Sequence, residues 1–254
     1  MTEDDILLAQ RLADAAGAAI RPLFRQRFEI ESKADASPVT QADRAAEGAM
    51  RAILEVERPA DGIFGEEYGR VRDGADRIWV LDPIDGTRSF IAGRPIFGTL
   101  IALVEAGRPL LGVIDQPITH ERWLGAAGRP TTLNGRGART RACATLRQAH
   151  IATTGPNYFA PDERASFEAV GAAARDTLWG GDCYNYALLA SGHLDLVVEA
   201  GLQLYDFAAL VPVVEGAGGA MRDWAGEPLT ADSDGRVVAI GDASFADEVY
   251  ALLG

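Results

Sequence analysis

A pair of aspartates with the spacing Asp-x-x-Asp is the first feature of the sequence that could do chemistry. Asp82 and Asp85 follow a short apolar run, Ile78–Leu81, which predicts a buried strand. Pro83 is expected to end that strand and to leave both carboxylates at its carboxyl end. Gly86 then allows a tight turn whose backbone can approach a ligand closely. Two carboxylates at a strand end suit a hard cation, because Mg²⁺ prefers a few carboxylates together with water and substrate phosphate.

Further carboxylates fall at the predicted ends of other elements. Glu66 and Glu67 follow a glycine where a short strand is expected to end beside the central one, although a pair of surface glutamates would also explain them. Asp43 lies in the first turn of a predicted helix. Asp206 opens a long apolar helix that is predicted to run to about Gly216, and the helix dipole would stabilise its charge. Asp43, Glu66, Asp82, Asp85 and Asp206 thus each fall at the end of a predicted element.

The composition limits the class of protein. The 254 residues include 37 acidic and 24 basic ones, and the resulting formal net charge of −13 argues against non-specific binding of nucleic acid. An acidic protein that acts on an anionic substrate would need metal ions to neutralise its site. Neither of the two cysteines has zinc-site partners nearby in the sequence. The first residues are acidic, unlike a secretory signal, and no apolar stretch approaches membrane-spanning length. We therefore expect a cytoplasmic protein with no membrane partner.

Strands and helices alternate along the chain, so a mixed α/β architecture is predicted. Two apolar runs, Phe97–Val104 and Leu110–Ile114, flank a glycine turn and predict an antiparallel hairpin. A purely parallel sheet is therefore not supported. A second half begins near residue 145, and we expect an N-terminal half over residues 1–143 and a C-terminal half over residues 144–254.

Several other enzyme classes fit the sequence poorly. The glycine cluster Gly216–Gly219 has Met221 where a dinucleotide-binding motif needs its third glycine, and it follows a predicted helix rather than a strand. Haloacid-dehalogenase phosphatases use an Asp-x-Asp pair, whereas the spacing here is Asp-x-x-Asp. The three histidines are scattered and indicate neither a phosphohistidine motif nor a serine triad. A nucleotide-binding dehydrogenase and these other hydrolases are thus disfavoured.

Combined, these motifs resemble the inositol monophosphatase family of metal-dependent phosphatases. The matching stretches cover nearly the whole chain and are Ser32-Lys33-Ala34-Asp35, Pro38-Val39-Thr40 with Asp43, Gly65-Glu66-Glu67, Asp82-Pro83-Ile84-Asp85-Gly86-Thr87, and Tyr205-Asp206 with Glu215-Gly216-Ala217-Gly218-Gly219. The resemblance implies a mixed α+β fold, namely the layered αβαβα sandwich of the inositol monophosphatase and fructose-1,6-bisphosphatase type. It also implies a homodimer.

The resemblance further implies roles for individual residues. Four acidic side chains and one backbone carbonyl would hold two to three Mg²⁺ ions per active site: Glu66, Asp82, Asp85, Asp206 and the carbonyl of Ile84. Thr87, hydrogen-bonded to Asp43, would help Glu66 to orient and deprotonate the attacking water, and the amides of Gly86 and Thr87 would hold the phosphate. The ions would activate water and stabilise the entering and leaving oxygens, so no covalent intermediate is expected. Lys33, in a polar stretch predicted as a loop or hairpin, would belong to a mobile metal-site loop or to a plain surface loop.

Within that family, the sequence is most similar to the histidinol-phosphate phosphatases. The shared stretches are Arg88-Ser89-Phe90-Ile91-Ala92-Gly93-Arg94-Pro95, Trp179-Gly180-Gly181-Asp182-Cys183-Tyr184 and Tyr205-Asp206-Phe207. The chain departs from inositol-specific relatives, which often have Thr-Asn-Phe after the Gly-Thr pair and Trp-Asp at the last ligand. Histidinol phosphate carries a cationic amine and an imidazole, and such groups prefer carboxylates and aromatic faces.

Candidate substrate contacts follow from this similarity. Glu199 lies seven residues before Asp206, where the family places an acid that contacts substrate, and Asp206 itself borders the substrate. Asp182 is a second candidate, although it could instead cap the helix that follows it. Tyr184 and Tyr205 are predicted to lie nearby.

The sequence therefore predicts Mg²⁺-dependent hydrolysis of the small-molecule ester L-histidinol phosphate to L-histidinol and phosphate, a step of histidine biosynthesis. One alternative is an inositol-1-phosphate or broad small-molecule phosphatase of the same family. Another is a non-catalytic regulatory or binding member, including the RNA-linked relatives, which the complete set of acids and the acidic pI of 4.7 disfavour.

Overall fold

The computed structural model describes residues 1–26, 31–32 and 38–254. Lys33 and its predicted mobile loop lie outside the described residues. On either side of them the backbone forms a short antiparallel pair, β1 (Glu31–Ser32) with β2 (Pro38–Val39), in agreement with the hairpin alternative.

Two amphipathic helices form one outer layer. Helix α1 (Glu3–Ile20) and helix α2 (Gln41–Glu57) each begin with a capping box, in which Thr2 or Thr40 exchanges hydrogen bonds with an aspartate three residues later. Helix α1 gives way at Arg21–Leu23 to a 3-10 turn, because Pro22 has no amide hydrogen to donate.

A large mixed sheet lies beneath these helices. Its strands are β3 (Gly62–Gly65), β4 (Gly69–Val71), β5 (Arg77–Asp85), β6 (Gly98–Glu105), β7 (Arg108–Gln116), β8 (Glu121–Ala126), β9 (Arg129–Leu133) and β10 (Arg136–Gly137), in the spatial order β10-β9-β8-β7-β6-β5-β3-β4. Strand β3 runs parallel to β5, and the other neighbouring pairs are antiparallel, including the predicted hairpin of β6 and β7. A short helix, α3 (Thr87–Ile91), follows β5 directly.

The predicted end of the central strand at Pro83 is wrong. Strand β5 continues through Asp85, with an irregular register against β6 between Asp82 and Asp85. A proline is tolerated at such an irregularity because no ladder hydrogen bond is required of its nitrogen. The Pro83 carbonyl accepts a hydrogen bond from the Thr99 hydroxyl at 2.8 Å instead, and both aspartates still lie at the carboxyl end of the strand.

The second half of the chain supplies a smaller mixed sheet. Its strands are β11 (His150–Thr153), β12 (Asp176–Trp179), β13 (Leu196–Glu199), β14 (Ala220–Arg222) and β15 (Val237–Ile240), in the order β12-β11-β13-β15-β14. Strand β11 is parallel to β12 and β13, whereas β15 is antiparallel to β13 and β14. The boundary predicted between residues 143 and 144 falls between the strands of the two sheets.

Helices fill the space between the sheets and cover the outer face of the second one. Helices α5 (Cys183–Ala190), α6 (Leu204–Phe207) and α7 (Leu210–Gly216) share one apolar cluster with residues of both sheets. Helices α4 (Pro161–Ala173) and α8 (Ala246–Leu253) pack together against the far face of the smaller sheet. The predicted αβαβα layering is therefore confirmed, although the single long helix predicted after Asp206 is divided into α6 and α7.

The side chains of a strand point alternately to the two faces of its sheet, so the large sheet contributes to two hydrophobic clusters. Trp79 and Leu81 of β5 join the cluster under α1 and α2, whereas Val80 between them joins the cluster with α5–α7. Within the part of the chain that the structure covers, every helix is too short or too polar to cross a membrane.

Candidate active site

Three of the predicted metal-ligating aspartates meet in the structure. Asp82 and Asp85 come from the end of β5, and Asp206 from the first turn of α6. One carboxylate oxygen from each of these residues lies within 4.8 Å of the others. The amide of Gln203 donates to Asp206 at 2.6 Å, so the start of α6 fixes that side chain, while the amide of Ile84 donates to Asp82 at 3.0 Å. Residues far apart in sequence thus form one acidic cluster.

The electrostatics of the cluster favour a cation. Burial raises the pKa of Asp82 well above its usual range, and the nearby carboxylates of Glu66, Asp85 and Asp206 raise it further. The pKa of Asp85 is likewise raised well above its usual range by burial and by Asp182 and Asp206, in spite of a hydrogen bond from the Cys183 amide. Like charges this close need a counter-charge, and an all-oxygen donor set fits Mg²⁺.

Glu66 reaches the same region from the turn after β3. Its amide donates to the Leu81 carbonyl of β5 at 3.1 Å, and the residue lines the cavity above the aspartates. The alternative of a plain surface glutamate is thereby wrong for Glu66. A residue that the sequence reasoning missed holds this turn: Glu47 of α2, which is fully buried and accepts the amide of Glu67 at 2.7 Å.

Thr87 and Asp43 are brought together as predicted. The Thr87 hydroxyl lies 3.4 Å from Asp43 Oδ1 and 3.1 Å from the Ile84 carbonyl oxygen, to which it can donate. Asp43 Oδ2 accepts from both the amide and the hydroxyl of Thr40, at 2.8 and 2.5 Å, which anchors the start of α2. Burial raises the pKa of Asp43, although the hydrogen bonds from Thr40 oppose that rise.

The turn after β5 requires its glycine. Gly86 has a φ of +86°, in the left-handed region that favours glycine. A methyl group on Gly86 would also lie 2.7 Å from Asp182 Oδ2. The backbone here therefore runs unusually close to the side chain of a predicted substrate contact.

A cavity of about 190 Å³ opens above the acidic cluster. Glu66, Asp85, Thr87, Asp182, Glu199 and Asp206 are among the residues that line it. The structure therefore brings these six predicted site residues to one space, whereas Asp43, Asp82 and Ile84 are not among the lining residues.

Glu199 is held firmly at one wall of this cavity. It ends β13, is only 2% exposed, and accepts three hydrogen bonds: Oε1 from the amide and hydroxyl of Thr154 at 2.7 and 2.8 Å, and Oε2 from the Thr153 hydroxyl at 3.2 Å. Burial raises the pKa of Glu199 to about 7, against the lowering effect of Thr154. The group can therefore change charge near neutral pH.

Asp182 lies before α5 but does not cap it. Its side chain makes no hydrogen bond to the helix amides, and Oδ2 instead accepts from the Ser89 hydroxyl at 3.0 Å. The cap explanation is wrong because Asp182 has a φ of +46° and its carboxylate points toward the turn at Gly86. Burial raises the pKa of Asp182, while the Ser89 hydroxyl and the guanidinium groups of Arg94 and Arg88 lower it.

The two tyrosines predicted to lie near the substrate, Tyr184 and Tyr205, are not among the residues that line the cavity. The Tyr184 hydroxyl donates to Glu121 at 2.7 Å, and the Tyr205 ring packs edge-on against Phe64. Tyr186 and Tyr158 are the tyrosines among the described residues that line the cavity. Tyr186 is two residues beyond the predicted one, and position along α5 decides which ring faces the cavity.

The fold and the acidic cluster together define a metal-dependent phosphatase. A model of the inositol monophosphatase family matches residues 2–253, and the chain belongs to that family.

Individual relatives agree with this assignment. Bifunctional phosphatase IMPL2 of Arabidopsis thaliana is 52% identical over 251 residues, which cover 95% of this chain and 72% of that protein. A histidinol-phosphatase of Chlorobaculum parvum is 37% identical over 92% of each chain. Among solved structures, an inositol monophosphatase from Zymomonas mobilis superimposes with a TM-score of 0.92 at 58% identity, covering 99% of this chain and 98% of that one.

Proposed function

We propose that this phosphatase hydrolyses L-histidinol phosphate with the help of Mg²⁺. The observation that carries the proposal is the buried carboxyl of Glu199, which lines the same cavity as the acidic cluster and has a pKa of about 7. A phosphate ester whose alcohol part carries an ammonium group would present its phosphate to the metal end and its cation to Glu199. The similarity to a histidinol-phosphatase at 37% identity supports the same substrate.

The residues that would hold Mg²⁺ are Glu66, Asp82, Asp85 and Asp206, with the carbonyl of Ile84. Bound there, Mg²⁺ would lower the pKa of water and stabilise charge on the phosphate oxygens. The raised pKa values of Asp82 and Asp85 indicate that these side chains need such a counter-charge. The family is metal-dependent, and the number of ions stays a prediction.

The proton transfers are assigned to Thr87, Asp43 and Glu66. Asp43 Oδ1 lies within hydrogen-bonding reach of the Thr87 hydroxyl, at 3.4 Å, and Asp43 Oδ2 is held by Thr40. By donating its hydroxyl hydrogen to Asp43, Thr87 would leave its oxygen free to accept a hydrogen bond from the attacking water, and would so help Glu66 to orient that water and to take its proton. General-base assistance of this kind typically contributes about 10²–10⁴-fold to the rate.

The backbone at Gly86 and Thr87 is assigned to the phosphate. These residues begin α3 directly after the aspartates of β5, and both line the cavity. Amides at a helix start favour an anion, because their hydrogens have no partner within the helix. No covalent enzyme intermediate is needed in this scheme.

The alternative with specific support is an inositol-1-phosphate phosphatase. The Zymomonas mobilis structure, 58% identical, is described as an inositol monophosphatase. Inositol hydroxyls are uncharged, so an ionised Glu199 could accept hydrogen bonds from them but would gain no ion pair. The two proposals therefore differ in whether the charge of Glu199 matters.

A substrate panel tests the proposal. The purified protein with Mg²⁺ is given L-histidinol phosphate, inositol 1-phosphate, fructose 1,6-bisphosphate and a 3′-phosphoadenosine phosphate, and kcat/KM is measured by phosphate release. The highest kcat/KM is expected for histidinol phosphate. A higher value for inositol 1-phosphate would refute the substrate assignment, and no release from any ester would favour a non-catalytic member of the family. Homodimerisation, a cytoplasmic location and a role in histidine biosynthesis stay predictions.

A further inference from the structure

Glu47 is a buried acid on α2 that none of the assigned roles uses. Its side chain is fully buried, and it pairs with Arg51 one turn later, with Nε of Arg51 2.7 Å from Oε1. A charge this deep in a protein is costly unless it is paired and hydrogen-bonded. The partners of Glu47 therefore indicate what the buried charge is for.

Two backbone amides of the turn after β3 point at Glu47. The amide of Glu67 donates to Oε2 at 2.7 Å, and the amide of Tyr68 donates to Oε1 at 3.2 Å. Arg51 also donates to the carbonyl of Gly69, where β4 begins. The turn that carries Glu66 is thus tied to one ion pair on α2 through Glu67, Tyr68 and Gly69.

Gly65 shows how closely the turn is drawn onto this carboxylate. A Cβ atom on Gly65 would overlap both carboxylate oxygens of Glu47. Its φ is not in the left-handed region, so steric contact with Glu47, and not backbone freedom, requires the glycine.

Asp43 and Glu47 are four residues apart on α2 and therefore lie on the same face of the helix. Asp43 contacts Thr87, while Glu47 fixes the backbone directly after Glu66. One rigid helix thus reaches both members of the pair that is assigned to the attacking water.

We propose that Glu47 is a positioning residue for the reaction: by holding the Glu66 turn on α2, it sets Glu66 relative to Thr87 and to the metal-binding aspartates. This inference rests on the proposed function, since it assigns the water and the metal to Glu66. Outer groups that orient metal ligands typically contribute about 10–100-fold to metal affinity or activity.

The variant Glu47→Gln tests the proposal. Glutamine has nearly the same shape, but it offers one acceptor oxygen and one NH₂ group, so it must turn a donor toward Arg51 or one of the two amides. Glu55→Gln is the matched control. Glu55 is on the same helix and forms an ion pair with Arg72 at 3.0 Å, but that pair is at the surface.

Three measurements are made on folded protein below its unfolding temperature. We expect Glu47→Gln to lower kcat by about tenfold to a hundredfold with little change in KM. The phosphate ester should still bind, whereas the Glu66 carboxylate, the proposed metal ligand, should be displaced. Mg²⁺ affinity by calorimetry should fall by at least several-fold. Amide exchange by mass spectrometry should speed up in peptides that contain Glu67 and Tyr68. Glu55→Gln should leave all three values at those of the wild type.

Other results would overturn the proposal that Glu47 positions Glu66. Wild-type kcat and Mg²⁺ affinity in folded Glu47→Gln would overturn the proposal, as would a loss of kcat no larger than the unfolded fraction. Should this variant not fold, Glu47→Asp is used, which keeps the charge beside Arg51 but withdraws the carboxylate from the amides by one methylene. A wild-type enzyme that turns over fully without Mg²⁺ would refute the proposed function, and the exchange data would still report whether Glu47 holds the turn.

Discussion

Neutralising Glu199 should change which substrate the enzyme prefers. Three donors from Thr153 and Thr154 occupy the Glu199 carboxylate, which has about four lone-pair sites, so capacity remains for one further donor. In the proposed complex that donor is the ammonium group of histidinol phosphate. A hydrogen bond to a charged partner is worth about 1.5–3 kcal/mol, so Glu199→Gln should lower kcat/KM for histidinol phosphate by about tenfold to somewhat over a hundredfold.

The pH dependence of substrate preference is a second, independent test of the role of Glu199. Because burial raises the pKa of Glu199 to about 7, the carboxyl is charged above that pH and neutral below it. The ratio of kcat/KM for histidinol phosphate to kcat/KM for inositol 1-phosphate should therefore fall as pH decreases through 7. Taking the ratio cancels the titration of groups that both reactions share, such as the acidic cluster, but not that of the imidazole of histidinol phosphate. In Glu199→Gln the ratio should be low, and the part of its pH dependence that disappears relative to the wild type is the contribution of Glu199.

Glu199 should also make the free energy of unfolding depend on pH, and this free energy should fall as pH rises. Its pKa rises from an ordinary value of 4.5 to about 7 on folding, so its favourable contribution is complete below pH 4.5 and is lost as pH rises through 7. The loss is on the order of 3 kcal/mol at 1.36 kcal/mol per pKa unit. Unfolding by urea at pH 5 and pH 8 should show this component in the wild type and not in Glu199→Gln.

The variant Asp182→Asn shows whether the preference for a cationic substrate depends on Glu199 or on any acid of the cavity. Asp182 already accepts from Ser89 and lies near the charges of Arg94 and Arg88, so its charge is partly balanced within the protein. Its neutralisation should cost less on histidinol phosphate than neutralisation of Glu199. If Glu199→Gln lowered kcat/KM equally for both esters, the acid would support the fold or the metal site, and the reasoning on specificity would be refuted.

Three further predictions concern the metal, the proton transfers and the cavity. Chelation by EDTA should abolish turnover and added Mg²⁺ should restore it; full turnover in excess EDTA would contradict the cation site. Thr87→Ala should lower kcat by about 10²–10⁴-fold with Mg²⁺ affinity retained, as should Asp43→Asn, and near-normal turnover in both would remove the assigned base. The hydroxyl of Tyr186 is buried with no hydrogen-bond partner in the described structure, so Tyr186→Phe should not lower the thermal midpoint, and a clear drop would reveal a partner.

The sequence located the acidic site because the chemistry is concentrated in short motifs. Asp82, Asp85 and Gly86 lie in one short stretch of sequence, and a strand followed by a glycine turn needs no tertiary information to be recognised. The meeting of these residues with Asp206 followed only from the family resemblance, since more than a hundred residues separate them. The layered fold was predicted on the same basis.

The misses share a physical cause, which is that they depend on contacts across the fold. Glu47 resembles any other glutamate on a polar helix until Gly65 is seen to pack against it. Tyr184 and Tyr186 are both aromatic residues of one short helix, and only the position of Glu121 on a neighbouring strand shows which hydroxyl turns away from the cavity. Periodicity predicts a face of a helix but cannot identify what that face meets.

Asp182 shows how such a contact changes the meaning of a motif. Its position directly before a predicted helix allowed a helix cap, yet Gly180 and Gly181 before it have positive φ, and the Asp182 carboxylate lies against Gly86. The Ser89 hydroxyl donates to the Asp182 carboxylate, in the place of the helix amide that would donate to a capping residue. Because Ser89 lies three residues after Gly86, in the short helix α3, Asp182 links the start of α5 to the turn that carries Gly86 and Thr87. The charge of Asp182 is therefore held beside the turn that we propose binds phosphate. Glu199 is held instead by Thr153 at the end of β11 and by Thr154 directly after it, and it is the acid that we propose selects a cationic substrate.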